Sequence, residues 1–233
     1  MTAPVLRTEA LAKGFTLHLR GGKRLDVLAG VDLVVRAGEC VALTGPSGAG
    51  KSSLLRCLYG TYRADGGRIL VRHRDRELDL TAADPRTVLE DRAETIGYVA
   101  QFLRVVPRVP ALEIVAEAAI ARGVAAAPAR ARARDLLDRL GIPARLHDLP
   151  PATFSGGEQQ RVNLARGFIA AHPILLLDEP TAALDPANRD AVLALIREAR
   201  DAGTAIIVIM HDEPARAAIA DRLFPLSPIR DAA

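Results

Sequence analysis

The 233-residue chain has no tryptophan, and aromatic residues make up only 3 % of it. A surface that stacks successive bases has little to be built from, which argues against a nucleic-acid partner. A net charge of +3 is too small to argue for one. The two cysteines, Cys40 and Cys57, show neither metal-ligand spacing nor a disulfide framework. Both have apolar neighbours and read as small buried side chains. No segment approaches the roughly 20 apolar residues of a membrane-crossing helix. The longest candidate, AIIVIM at 205–210, has the length of a buried strand, and MTAPVLRTEALAKGF at the N-terminus holds no signal-like apolar run. The expectation is a soluble, cytoplasmic protein.

Lysine is also scarce. Of 31 basic residues only Lys13, Lys23 and Lys51 are lysines. An ammonium is a compact point charge and a guanidinium a planar fork. A lysine kept at 51 in so arginine-rich a chain suggests a site with no room for the fork.

What is present is an ordinary globular composition, 49 % hydrophobic and 25 % charged, in a length that suits one domain with an insertion. VLRTEAL and VLAGVDLVVRAG read as strands around the turn RGGKR, and ECVALTG as a buried strand leading to the helix KSSLLRCLYG. RILVRH and ELDL fit a hairpin, and Asp84-Pro85 caps a helix over 85–95. IGYVAQ is the next strand. Between 111 and 171 three helical patterns follow one another, and then PILLLDEP and TAIIVIM read as strands of a parallel sheet buried on both faces. The predicted fold is α/β: an N-terminal β part and core over 1–110, a helical insertion over 111–171, and the rest of the core over 172–233. Arginines 130, 132 and 134 read as a solvated helix face, with Arg134 paired to Asp138 and Arg132 to Asp135.

GPSGAGKS, Gly45 to Ser52, has the spacing G-x-x-x-x-G-K-[ST] after an apolar strand and at the opening of a helix. Glycines let successive N–H groups turn inward around phosphates, and the helix start adds partial positive charge. Gly45, Pro46, Ser47, Gly48, Ala49, Gly50, Lys51, Ser52 and Ser53 are therefore candidate nucleotide contacts. In this role Lys51 reaches the β- and γ-phosphates and Ser52 ligates Mg²⁺. Asp178, ending ILLLDE, is a second candidate for the metal, and Glu179 beside it for the attacking water. A second helix start, Ser155-Gly156-Gly157 in FSGGEQQRVNLARG, reads alone as a serine cap.

The order of these motifs resembles that of ATP-binding-cassette (ABC) ATPases, whose LSGGQ signature matches FSGGE here, with a likeness running from about Val5 to Phe224. The resemblance implies that ATP and Mg²⁺ are bound between two copies. The loop at 45–52 holds a triphosphate that the partner's Ser155, Gly156, Gly157 and Glu158 cover. It also implies roles for Gln101 at the end of IGYVAQ as a catalytic and Mg²⁺-sensing glutamine, for Asp185 across the dimer, and for His211 as the γ-phosphate histidine. Phe15 is either an adenine-stacking ring or core. Phe154, Glu158 and Ala182 depart from the usual Leu, Gln and Ser. Longer stretches such as QFLRVVPRVPALEIV look most similar to the L-type ATP-binding subunit of the bacterial phosphonate carbon–phosphorus lyase system. That likeness implies a second ABC ATPase and the lyase core complex as partners. The alternative is a transport ATPase of the lipoprotein-releasing or macrolide-export type, with a membrane permease.

Overall fold

The computed structural model describes residues 3–17, 22–103, 107–182 and 184–229. Two sheets enclose the first helix. In one, β1 (Pro4–Leu17) pairs antiparallel with β2 (Lys23–Val31), β3 (Val34–Arg36) and β5 (Gly66–His73), and β5 turns back into β6 (Arg76–Asp79). The other is wholly parallel. Its order is β10 (Arg222–Pro225), β4 (Cys40–Thr44), β9 (Ala205–Ile209), β8 (Ile174–Asp178) and β7 (Ile96–Val99).

Side chains alternate across the parallel sheet with a period of two and so feed two cores. Val41, Leu43, Ile174, Leu176, Ile207 and Ile209 pack toward α1 (Lys51–Leu58) and the antiparallel sheet. Ala42, Leu175, Leu177, Ile206 and Val208 pack toward the helical side. There lie α3 (Ala111–Ile120), α4 (Ala126–Arg139), α6 (Gly156–Ile169) and α7 (Pro186–Asp201). The short α5 (Ala144–His147) also follows α4, and α8 (Glu213–Ala217) precedes β10. Every residue of β8 and β9 is buried, as their unbroken apolar runs require. Cys40 and Cys57 are both buried free thiols, pushed up to about 12 and about 11 by that burial.

Several elements differ from the sequence reading. VLAGVDLVVRAG is two strands, because Asp32 accepts the Ala10 N–H at 2.6 Å and Leu33 turns its N–H onto Thr8 Oγ1 at 2.9 Å. The turn predicted at RGGKR begins in residues 18–21, outside the described ones. The arginine pairs predicted within α4 do not form among the described residues; Arg130 instead forks onto Glu113 of α3 at 2.7 and 3.0 Å. Strand β10 was not read at all.

Helix α2 (Pro85–Glu94) starts as predicted, with Asp84 Oδ1 accepting from the N–H groups of Arg86 and Thr87. Its one buried residue is Asp91, 3.5 Å from His73 Nδ1, which in turn lies 2.6 Å from Thr95 Oγ1. Burial pushes the Asp91 carboxyl up to about 6, against smaller opposing effects of Thr95 and Arg92. The folded state therefore holds this proton more tightly than the unfolded chain, where Asp titrates near about 3.9. Ionisation weakens the fold, so this contribution falls as pH rises from about 4 through 6. Asp91→Asn is expected to raise stability at about pH 7 by up to roughly 3 kcal/mol and to flatten that slope. Melting temperature against pH reads this out, and a lower value for the variant at neutral pH would contradict it.

Candidate active site

The strand β4 ends at Thr44, and the chain turns through 45–50 into α1. Three glycines with positive φ make that turn, and at two of them a side chain would also collide. Gly45 has φ +131°, and a Cβ there would overlap the Leu226 carbonyl oxygen; Gly50 has φ +89°, and its Cβ would lie 2.7 Å from Val27 O. Only a residue without a side chain fits such backbone at such close range. Lys51 is 8 % exposed, and its ammonium donates to Gly45 O at 2.7 Å and Pro46 O at 2.9 Å. The charge is thus folded over the loop's own carbonyls, in a space that suits a narrow stem.

The carboxyl ends of β7, β8 and β9 lie beside this loop, as the ends of parallel strands do around a ligand crevice. Alternation along β8 puts Asp178 on the face of Ile174 and Leu176, the side of α1. Ser52 Oγ donates to Asp178 Oδ1 at 3.1 Å and Tyr98 Oη to Asp178 Oδ2 at 3.1 Å. Burial holds the Asp178 carboxyl above its usual range, while these two donors pull it back. Glu179 follows at φ +52°, an uncommon conformation for a residue with a side chain. Its carboxylate accepts from Gln101 Nε2 at 3.0 Å and lies 3.0 Å from His211 Nε2. The register explains the first contact: Val99 pairs with Leu177, so two residues onward Gln101 meets Glu179. The strand itself stops at Val99, short of the predicted end at Gln101. Of the three candidate metal ligands, Ser52 and Asp178 are hydrogen-bonded to each other, and Gln101 is bonded to Glu179 instead.

Among the described residues no group of three or more His, Cys, Asp or Glu could hold a metal. A carboxylate and a hydroxyl 3.1 Å apart are still hard oxygen donors, the kind Mg²⁺ takes while phosphates and water complete its shell. The donor set fits that ion.

Around Ser155 the contacts are local. Its hydroxyl accepts the Glu158 N–H at 3.3 Å, and Glu158 Oε2 accepts the Ser155 N–H and hydroxyl, each at 2.8 Å. This reciprocal capping box starts α6. The Glu158 charge, which the signature motif does not usually carry, is thereby folded back onto the cap, and the Ser155 hydrogen bonds hold its carboxyl below the usual range. None of these bonds reaches the 45–52 loop. Asp185 caps α7, accepting the Asn188 N–H at 3.0 Å. Phe15 is half-buried, packs edge-on against Tyr62 at 5.2 Å between ring centroids, and has Lys13 Nζ at the same distance from its centre.

The sequence reading missed Tyr98, whose only signal was a polar aromatic near the end of a buried strand. It also missed Asn163, which donates to Ala100 O at 2.7 Å and so steadies the segment that carries Gln101.

The family model described as "ABC transporter" matches residues 28–182. The lipoprotein-releasing system ATP-binding protein LolD 2 of Caulobacter vibrioides is 41 % identical over 213 residues, 91 % of this chain and 90 % of that protein. LolD of Myxococcus xanthus is 40 % identical over 86 % of the chain and 87 % of its own length. The macrolide export ATP-binding/permease protein MacB of Salmonella typhimurium is 36 % identical over 88 % of the chain, which spans only 31 % of that protein. In solved structures, the dimeric ATP-binding cassette MJ0796 with ADP and Pi superposes with a TM-score of 0.86 and 26 % identity, covering 97 % of each chain. The LolD proteins are named for a lipoprotein-releasing system and MacB for macrolide export, and these relatives do not support the carbon–phosphorus lyase kinship expected from the longer stretches. The chain belongs to the ABC transporter family: it is an ABC ATPase, which binds ATP with Mg²⁺ and hydrolyses it.

Proposed function

We propose that this chain is the ATP-hydrolysing subunit of a membrane export or release system of the LolD and MacB kind, paired with a permease. The observation that carries the reading is the match to LolD 2 over nearly the whole of both chains. Phosphonate breakdown, with a second ABC ATPase and a lyase core as partners, is set aside, because these relatives favour the alternative. A feature of the surface agrees. Phe102 is 75 % exposed directly after Gln101, beside a cleft lined by Tyr59, Tyr98, Asn163 and Arg166. Large exposed apolar side chains beside a groove suit a protein partner.

In the proposed cycle two copies close head to tail over two ATPs, and hydrolysis reopens them. The loop at 45–53 and the start of α1 hold the triphosphate, with Lys51 leaving its loop carbonyls for the phosphates. Ser52 and Asp178 would hold Mg²⁺, which neutralises phosphate charge when bound. Glu179 takes the proton of the attacking water. Gln101 and His211 hold that carboxylate now and meet water and the γ-phosphate in the closed form. The α6 start, Ser155 to Glu158, and Asp185 face the partner's nucleotide, and Phe15 offers its ring to adenine. The dimeric state of MJ0796 supports the arrangement.

Ser155→Arg is expected to leave ATP binding by the single chain within about twofold, since Ser155 bonds only within its own cap. Turnover is expected to fall by about a hundredfold or more, because the arginine obstructs closure over the partner's phosphates. Equilibrium ATP binding and steady-state ATPase check the two halves, and loss of ATP binding would contradict the placement. The partner is tested by affinity purification from the source cells: co-purification of an integral membrane permease supports the proposal, and a soluble lyase complex in its place overturns it.

A further inference from the structure

Tyr98 and Asp178 stand on neighbouring parallel strands. Tyr98 pairs with Leu176 in the β7–β8 register, so Asp178, two residues beyond Leu176, is its diagonal neighbour on the same face. At that spacing the phenol reaches the carboxylate, and Oη donates to Oδ2 at 3.1 Å. Asp178 is 3 % exposed and accepts its other side-chain hydrogen bond from Ser52, on Oδ1. The two donors occupy different oxygens. If a metal takes Oδ1 with Ser52, Tyr98 remains as the group that fixes the plane of the carboxylate. Tyr98 is itself fixed: its ring lies 5.2 Å from that of Tyr59, tilted by 34°. A phenol keeps its proton throughout the neutral range, so it remains a donor.

The geometry points to Tyr98 as a positioning residue that orients Asp178 for the Mg²⁺ of the nucleotide. This rests on the proposed metal role of Asp178 and Ser52 but not on which transport system the chain serves. A buried carboxylate with one donor removed can rotate and loses stabilisation of its charged form, and hydrogen bonds to charged groups are among the stronger ones.

The test is Mn²⁺ binding, by electron paramagnetic resonance, to the full chain saturated with ADP. Wild type, Tyr98→Phe and Asp178→Asn are compared. Tyr98→Phe keeps the ring and its packing and removes only the donor. It is expected to weaken Mn²⁺ binding by about threefold to tenfold, with ADP affinity in EDTA unchanged. A purely structural role would lower ADP affinity with and without metal alike, and that result overturns the inference. So does Mn²⁺ affinity equal to or tighter than wild type while Asp178→Asn binds weakly. If Asp178→Asn also binds like wild type, the metal assignment fails and the role of Tyr98 goes with it. Should Tyr98→Phe not fold, Tyr98→Met, a long apolar side chain without a strong donor at this half-buried position, carries the same comparison and the same outcomes.

Discussion

Lys51→Ala is expected to reduce ATP affinity by about a hundredfold or more, from the loss of charge-assisted bonds each worth about 1.5–3 kcal/mol. The side chain is 8 % exposed and now spends its charge on two loop carbonyls. A γ-phosphate is a stronger acceptor than either, so in the bound state the ammonium trades neutral oxygens for charged ones. Alanine forfeits that exchange and leaves Gly45 O and Pro46 O without their donor. Lys51→Arg is expected to rescue poorly, because the fork needs more width than the stem of Lys51 occupies. Calorimetric titration with ATP gives both affinities. Binding by the alanine variant within about threefold of wild type would mean that the loop does not cradle the phosphates as proposed.

The second large effect belongs to Glu179. Glu179→Gln is expected to lower turnover by about a hundredfold to ten-thousandfold, the usual worth of a positioned general base. Binding of ATP survives, since Lys51, Ser52 and Asp178 are untouched. The neighbours tolerate the change: Gln101 and His211 each lie 3.0 Å from a carboxylate oxygen, and an amide can offer one oxygen and one N–H in its place. The closed dimer should then accumulate, with a scattering mass near twice the 24.8 kDa of the chain in ATP and near 24.8 kDa without it. A single-chain mass in both conditions would contradict the cycle.

The chemistry was legible in the sequence where it depends on local backbone. Glycine spacing at 45–50 reports a turn that only glycine can make, and the apolar runs ending at Asp178 and Met210 report strands buried on both faces. Contacts made across the fold left no such trace. Strand β10 is four residues ending in Pro225, and it is held by β4 from far away in the chain. The break between β2 and β3 is imposed by Ala10 and Thr8 on another strand. Arg130 finds Glu113 on a neighbouring helix, although the pattern within α4 suggested pairs of its own. Ser155 and Glu158 spell a capping box, but the sequence reading took only the serine as a cap and gave Glu158 a place over the partner's triphosphate. Kinship within the family was harder still. The motif residues serve ATP chemistry common to its members, whereas the stretch after Gln101, where a coupled partner would differ, includes residues 104–106 outside the described structure.

All of this rests on a nucleotide pocket that one chain opens and its neighbour completes. The most direct measurement is specific ATPase activity against the concentration of the purified wild-type chain, with scattering mass recorded alongside. The expected result is activity per chain that climbs with concentration and levels off as the dimer fills. Constant activity per chain, down to dilutions where only the 24.8 kDa species remains, would show that a single copy is a complete enzyme.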